Sequence, residues 1–531
     1  MIKNDLAIVL CGEAGQGIQT VENILVKIIK QSGYHVFATK EYMSRVRGGV
    51  NSTSLRIAST PVAAYIDRID IFFQLGKELT KHLQKRISSE TIVISDLPNN
   101  ISAVGTVVRL LNIELKIAEQ QIKERFSVKG ETVVNDNLKA LAAGYAYGDK
   151  IKIDLNLRSD PSVAQQMIIS GAEAIGLGAI AGGCNFIAAY PMTPSTGIFT
   201  FLSQQAKEFG IISEQAEDEI SAMNMALGAW YAGARALVNT SGGGYDLMQE
   251  GLSLAGMLEL PLVINLAQRP GPATGLPTRT EQADLNLALY SGHGEFPRII
   301  LAPGSLEEAF SLTQKAFNLA DKYQVPVFIL SDQYLNDSYY NLPQFDLSKI
   351  KNEVSIVKTD KDYKRYALTE SGLSPRGIPG NGGGLVALDS DEHDEMGHIT
   401  EDLIDLRTKM VEKKLKKLAG FKVDEILPEL CGDKNYSTLM ISWGSTRNII
   451  KEAVEKSGKK EVACLHFRQV YPLPSNTVEL LKKAKKRIVI EGNAAGQFAN
   501  LIKLITGIEC EQKVLKYNGL PFSVEEVLQY V

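Results

Sequence analysis

Cysteine is sparse in this 531-residue sequence: Cys11, Cys184, Cys431, Cys464 and Cys510 are widely scattered and never spaced as C-x-x-C. That pattern argues against a disulfide framework, a zinc site or an iron–sulfur cluster held by this chain, so any cluster chemistry belongs to a partner. An excess of either charge is missing as well. The formal net charge is -4 with 22% charged residues, which leaves no basic surplus for wrapping nucleic acid. Long hydrophobic runs are also absent. The opening "MIKNDLAIVLCGEAG" holds an apolar stretch of only about six residues that ends in a glycine turn, so it reads as a strand and as neither a signal peptide nor a membrane span. A cytoplasmic protein without membrane association is expected.

What remains is the composition of an ordinary globular chain, 44% hydrophobic, long enough for roughly three or four domains. "LAIVLCGEAGQGIQTVENILVKIIKQSG" reads as strand, glycine turn and helix, with Val21, Ile24, Leu25, Ile28 and Ile29 on one helical face. A first α/β domain is expected over residues 1–155, ending in the polar linker "IKIDLNLRSDPS". Helices and strands alternate again over 165–342, the mark of a mostly parallel sheet. Residues 343–433 change character through "TESGLSPRGIPGNGGG" and "DSDEHDEMGHITED" and read as an excursion, before a last α/β unit over 434–531.

Several stretches carry residue types suited to chemistry. "GEAGQG" (Gly12 to Gly17) lies between strand and helix, where glycine backbone can approach a phosphate; its order is not the dinucleotide fingerprint, and a tight βα turn explains it too. "YPMTPST" (Tyr190 to Thr196) fixes its backbone through two prolines while presenting the Thr193, Ser195 and Thr196 hydroxyls; a capped helix start is the competing reading. Glu219 falls in the first turn of the next helix, ahead of a face of alanines and glycines that permits close approach, and could exchange a proton with a bound heterocycle; an ordinary acidic residue favoured near a helix N-terminus by the dipole is the competing reading. "TSGGGYDLM" and "QRPGPATGLPTRTEQADL" follow predicted strands, at the end of the sheet where α/β proteins bind ligands. Arg269 and Arg279 there could grip a carboxylate or form structural salt bridges. In "EHDEMGH", His393 and His398 are five apart, which fits a solvated acidic loop better than a metal site, and no metal is expected.

Together these stretches resemble the 2-oxoacid:ferredoxin oxidoreductases, specifically an alpha subunit with a gamma domain fused at its N-terminus, and the resemblance spans nearly the whole chain. "GEAGQG" with "SRVRGG" (Ser44 to Gly49) is similar to the gamma domain; "YPMTPST", "EDEISAMNMALGAWYAGARA" and "RPGPATGLPTRTEQADL" are similar to the pyrimidine-binding domain; "SPRGIPG", "EHDEMG" and "EGNAAGQ" are similar to the segments that follow. The resemblance implies a multidomain α/β fold: a gamma α/β domain, a thiamine-diphosphate-type pyrimidine-binding domain and a C-terminal transketolase-C-like α/β domain. It implies oxidative decarboxylation of a 2-oxo acid with coenzyme A, with electrons passed to ferredoxin. By the same resemblance Glu219 would bond the aminopyrimidine ring, Tyr190 and Pro191 would line the cofactor, and Thr193 would lie beside the substrate carbonyl. Arg269 would hold the substrate carboxylate, with Arg279 a further substrate contact.

Beyond the mild change of Met192 for the isoleucine common in the family, two departures stand out. The loop Ser241–Gly244 lacks the proline often found in it, and no G-D-G followed by a spaced asparagine is present, "CGDKN" being no substitute. The magnesium and diphosphate site and the 4Fe-4S cluster are therefore expected on a separate beta subunit, and this chain alone is expected to be inactive. "SPRGIPG" and "EHDEMG" are similar to the 2-oxoglutarate subgroup, which makes 2-oxoglutarate the favoured substrate. Pyruvate or branched 2-oxo acids are the alternatives within the class, and a non-catalytic scaffold subunit is the rival from outside it.

Overall fold

The computed structural model describes residues 3–43 and 48–531, so Ser44–Arg47 of "SRVRGG" lie outside the described residues. The chain forms two compact units. The first comprises the residues up to Ser170 together with Asp337–Phe345 and Ser523–Gln529.

The first unit is built on a seven-stranded sheet in the order Ile92–Ile94, Ile71–Gln74, Asp5–Glu13, Val50–Ala58, His35–Glu41, Tyr339–Leu342, Met167–Ser170. Alternation along Asp5–Glu13 sorts its side chains between two cores: Leu6, Ile8 and Leu10 pack with the helix Ile18–Gln31, while Val9 and Cys11 pack with Phe72 and Leu83 on the other face. The helix buries Val21, Ile24, Leu25, Ile28 and Ile29, the face that the periodicity predicts. "GEAGQG" forms the turn between the two, with Gly15 at φ 95° and Gly17 at φ 74°, backbone that favours glycine.

This sheet also takes strands from beyond residue 155. Tyr339–Leu342 runs antiparallel to both His35–Glu41 and Met167–Ser170. Buried Asn341 secures the join: its Oδ1 accepts from Val36 N at 2.8 Å and its Nδ2 lies 2.6 Å from Gln166 Oε1 and 3.0 Å from His35 Nδ1. The added strands cover what would otherwise be an exposed sheet edge beside His35–Glu41.

The second unit contains two sheets. One is seven-stranded, in the order Gln469–Tyr471, Ile299–Leu301, Pro326–Asp332, Leu262–Gln268, Ala236–Ser241, Phe186–Ala189, Ile212–Gln215. All pairings in it are parallel except that of Gln469–Tyr471 with Ile299–Leu301. Its central strands "ALVNTS", "LVINLAQ" and "PVFILSD" are buried along their whole length, as expected for a parallel sheet covered on both faces. The other sheet has five strands, Glu429–Cys431, Val462–Phe467, Thr438–Trp443, Lys486–Glu491 and Gln512–Leu515.

The segment between them is mostly irregular and held by buried charge. Arg235 and Arg376 share Asp321 at 3.1 and 2.6 Å. Lys413 and Lys417 each reach the Glu259 carboxylate at 2.7 Å, while Arg365 donates to the Glu259 carbonyl at 2.7 Å. Among the described residues no helix is long and apolar enough to cross a membrane.

Candidate active site

The C-terminal edge of the parallel sheet gathers "YPMTPST", "TSGGGY" and "RPGPATGLPTRTEQADL", because each follows a strand of that sheet. Tyr190 and Pro191 leave the strand Phe186–Ala189 and are exposed. Pro194 and Ser195 turn inward and are buried. The Ser195 hydroxyl donates to the Met192 carbonyl at 2.6 Å, so it closes a turn and does not face outward as a free nucleophile. The turn is pinned from below by a polar ladder through the sheet. Asn239 Nδ2 donates to the Ser195 carbonyl at 2.9 Å, Asn265 Nδ2 donates to Asn239 Oδ1 at 2.8 Å, and Ser331 Oγ donates to Asn265 Oδ1 at 3.2 Å. All of these side chains are buried, where satisfied polar networks fix one geometry.

Arg269 is brought to the same turn. Its Nη1 donates to the Thr193 backbone carbonyl at 2.6 Å, and its Nε is buried with no hydrogen-bond partner. Burial lowers the pKa of this guanidinium, and the neighbouring Asp284 carboxyl offsets part of that effect. Arg279 occupies the far part of the same loop, where its N–H donates to the Leu276 carbonyl at 3.1 Å and the next N–H, that of Thr280, donates to Gly519 at 3.2 Å.

Glu219 opens the helix Glu219–Tyr231, which Asp218 caps by accepting from Ser221 N at 2.8 Å. The Glu219 side chain is 3% exposed, yet its Oε1 has no hydrogen-bond partner. A buried carboxyl oxygen left alone is costly, and it is accounted for most simply by a ligand donor. Directly against it lies Gly244, where an added Cβ would sit 2.5 Å from Glu219 Oε1. The glycine run thus keeps clear the space in front of the carboxyl.

The chain matches the family "Pyruvate flavodoxin/ferredoxin oxidoreductase, thiamine diP-bdg" over residues 177–413, and "Pyruvate ferredoxin/flavodoxin oxidoreductase" over residues 7–100. It is 32% identical to the 2-oxoacid:ferredoxin oxidoreductase subunit alpha of Sulfolobus sp., over 98% of this chain and 96% of that protein. The chain belongs to the 2-oxoacid:ferredoxin oxidoreductase alpha subunits. It is also 31% identical to the 2-oxoglutarate synthase subunit KorA of Archaeoglobus fulgidus, over 68% of this chain and 98% of that protein. Its fold matches the 2-oxoglutarate:ferredoxin oxidoreductase of Magnetococcus marinus, solved with 2-oxoglutarate, coenzyme A and succinyl-CoA bound, with a TM-score of 0.91, 29% identity and 99% of each chain covered. Enzymes of this family depend on thiamine diphosphate. The buried, unpartnered Glu219 carboxylate facing a glycine cradle fits a cofactor whose ring offers a nitrogen to a carboxyl group.

The alpha subunit's site also contains a residue that sequence reasoning did not single out. Asp284, in "TEQADL", lies beside the first glycine of the run: an added Cβ on Gly242 would be 2.7 Å from Asp284 Oδ2. That oxygen, too, is buried without a hydrogen-bond partner. Burial, reinforced by Asp246 and Glu281, pushes the Asp284 carboxyl up to about 7, against a lowering pull from Arg269.

"EGNAAGQ" turns out to be the clamp on this loop. Gln282 N donates to the Gly492 carbonyl at 2.6 Å, Gly492 N returns a bond to Gln282 Oε1 at 2.9 Å, and Gln497 Nε2 donates to the Ala283 carbonyl at 2.7 Å. Buried Glu491 holds the clamp itself, accepting from Asn493 Nδ2 at 2.8 Å and from the Phe498 and Ala499 N–H groups at 2.9 and 3.0 Å. The histidines of "EHDEMGH" are placed apart. His393 is buried against the Tyr366 ring with centroids 3.8 Å apart, while exposed His398 leans on Asp394 at 3.5 Å. Among the described residues no group of three or more His, Cys, Asp or Glu side chains is placed to hold a metal ion.

Proposed function

We propose that this chain is the catalytic alpha subunit, with its gamma domain fused, of an enzyme that converts a 2-oxo acid and coenzyme A to acyl-CoA and carbon dioxide, with 2-oxoglutarate favoured. The observation that carries the reading is the buried Oε1 of Glu219, left without a hydrogen-bond partner beside Gly244. Thiamine diphosphate bound there supplies a carbon nucleophile for the 2-oxo carbonyl and an electron sink for loss of carbon dioxide.

Glu219 Oε1 would hold the pyrimidine ring by accepting a hydrogen bond from a ring nitrogen, and Gly244 keeps that approach open. Tyr190 and Pro191 would border the cofactor. Arg269, with Nη1 committed to the Thr193 carbonyl, turns its remaining donors toward the substrate carboxylate, which sets the 2-oxo carbon beside Thr193. Arg279 serves as a second substrate cation for an acid with a distal carboxylate. The exposed apolar side chains Tyr190, Ile220, Leu247 and Leu276 around the site suit coverage by a beta subunit, which would carry magnesium, the diphosphate and a 4Fe-4S cluster and hand electrons to ferredoxin. In this reading residues 1–155 form the core of the gamma-type domain, whose sheet Met167–Ser170 and Tyr339–Leu342 complete; the rest of 165–342 forms the pyrimidine-binding domain, 343–433 the excursion and 434–531 the C-terminal domain, apart from Gln469–Tyr471, which pairs into the pyrimidine-binding sheet, and Ser523–Gln529, which belong to the first unit. The KorA names among its relatives and the 2-oxoglutarate in the Magnetococcus marinus structure support that acid over pyruvate or branched 2-oxo acids.

The test is anaerobic. The complex is isolated through a tag on this chain and viologen reduction is measured with 2-oxoglutarate, pyruvate and branched 2-oxo acids, each with and without coenzyme A. Coenzyme-dependent reduction with 2-oxoglutarate is expected, and in Glu219→Gln it falls by about 10²- to 10⁴-fold, the range of a lost general acid–base group, while beta-subunit assembly persists. Unchanged turnover in that variant would remove Glu219 from the role given to it.

A further inference from the structure

We propose that Asp284 is a specificity-determining residue that admits a 2-oxo acid's carboxylate to Arg269 only when its own carboxyl carries a proton, so that substrate and proton bind together. This rests on the reading of Arg269 as the carboxylate-binding group.

Asp284 and Arg269 are neighbours at the end of one strand: Asp284 N donates to the side-chain Oε1 of Gln268, the residue before Arg269, at 3.0 Å. The two are close enough that each shifts the other's titration. Yet Asp284 Oδ2 and Arg269 Nε are both buried with no hydrogen-bond partner. A buried carboxyl and a buried guanidinium at one strand end, each with a polar atom left unpaired, invite a third polar group to complete the set.

The backbone that carries the carboxyl is also held in place. On its N-terminal side Gln282 and Ala283 are clamped to Gly492 and Gln497, and on its C-terminal side Asn286 N donates to Gln497 Oε1 at 2.8 Å. Gly242 leaves the Asp284 oxygens uncovered, since a Cβ there would stand 2.7 Å from Oδ2.

Electrostatics then decide the coupling. A 2-oxo acid brings at least one negative charge to Arg269. The charged groups acting on Asp284 are Arg269 from the strand end, Asp246 from the turn after the glycine run and Glu281 from its own loop. Two of these three are acidic, so an incoming carboxylate adds to a field that already disfavours the Asp284 anion. With the free carboxyl raised to about 7, its protonated fraction falls as pH rises above neutrality, and the apparent affinity falls with it. The proton is taken from solvent on binding and returned when the product leaves, so the overall reaction balance is unchanged.

The assembled complex is titrated calorimetrically with two unreactive 2-oxo acid analogues, oxamate and N-oxalylglycine, in buffers of differing ionisation enthalpy, and KM is measured across pH 6 to 9. Uptake of close to one proton per site at about pH 8 is expected, much less at about pH 6, and KM should rise toward about tenfold per pH unit above neutrality while kcat changes little. Asp284→Asn should abolish both the uptake and the pH dependence of KM; Asp284→Glu should retain them. Absence of uptake in the unmodified complex, or an unaltered pH dependence in Asp284→Asn, overturns the proposal even if Asp284 variants assemble poorly. Arg269→Ala separates the two readings. An unchanged KM there overturns the assignment of Arg269 and this proposal with it, whereas a raised KM there together with proton-independent binding in the unmodified complex overturns only the role of Asp284.

Discussion

Gly244 and Glu219 stand face to face: a methyl group on Gly244 would lie 2.5 Å from Glu219 Oε1 and 2.4 Å from Thr240 Oγ1. Neither neighbour is a flexible chain end with somewhere to go, as Thr240 and Glu219 are both buried. Gly244→Ala should therefore overpack the site by about 1–3 kcal/mol and displace the Glu219 carboxyl. Thiamine diphosphate affinity, followed by fluorescence quenching in the assembled complex, should fall at least about tenfold, the equivalent of 1.4 kcal/mol. Gly243→Ala is the control. Its nearest neighbour would be the Ala273 carbonyl at 3.4 Å, an ordinary contact, so affinity should stay within about twofold, with stability gained by about 0.4–1 kcal/mol from a stiffer unfolded chain. Equal loss in both variants would show that the run acts through flexibility and not through space.

A second prediction concerns the irregular segment. Among the described residues Glu259 is the carboxylate that both Lys413 and Lys417 reach in that buried cluster, and all three side chains are almost fully enclosed. Glu259→Gln leaves two buried ammonium groups and the adjacent Arg365 without an anion. Removing one member of a buried ionic set costs about 3–5 kcal/mol, so thermal unfolding of the variant should begin well below that of the parent. A matched midpoint would mean that the lysines escape to solvent.

The third prediction is a pH dependence. Burial alone would raise the Glu308 carboxyl, but His466 at 3.0 Å and Arg447 at 3.4 Å outweigh it and hold it at about 2. Because the folded value lies below the ordinary one of 4.5, the unfolded chain binds the extra proton first. The stabilisation is complete above about pH 4.5 and is lost as pH falls through about 2. Acid unfolding of Glu308→Gln should show a shallower decline over that window, and its stability should converge with the parent's near the bottom of it. Parallel curves would refute the coupling.

Much of the site could be read from the sequence because it is local. The strand-then-loop order of "YPMTPST", "TSGGGY" and "RPGPATG" places these stretches at one sheet edge once the sheet is parallel, and Glu219 is recognisable from its place ahead of small residues. The Arg269 bond to Thr193, by contrast, spans 76 residues and is made to a backbone carbonyl, which no side-chain pattern records. Asp284 was hidden for a similar reason: its importance comes from what surrounds it after folding, namely Gly242, Arg269 and the clamp from "EGNAAGQ". The strand Tyr339–Leu342 reads naturally as the tail of the second α/β stretch, yet it pairs with His35–Glu41, because an open sheet edge accepts any strand of suitable register.

The clamp from Gly492 and Gln497 has a consequence for recombination between relatives. The loop that carries Asp284 and Arg279 and the residues that grip it come from segments some two hundred positions apart, with the Gln282–Gly492 bond spanning 210. A hybrid spliced anywhere within the intervening irregular segment would inherit its anion-handling loop from one parent and that loop's restraint from the other. Such hybrids should fold in each half and still misplace the loop, so exchange of substrate preference between family members requires the two pieces to travel as a pair.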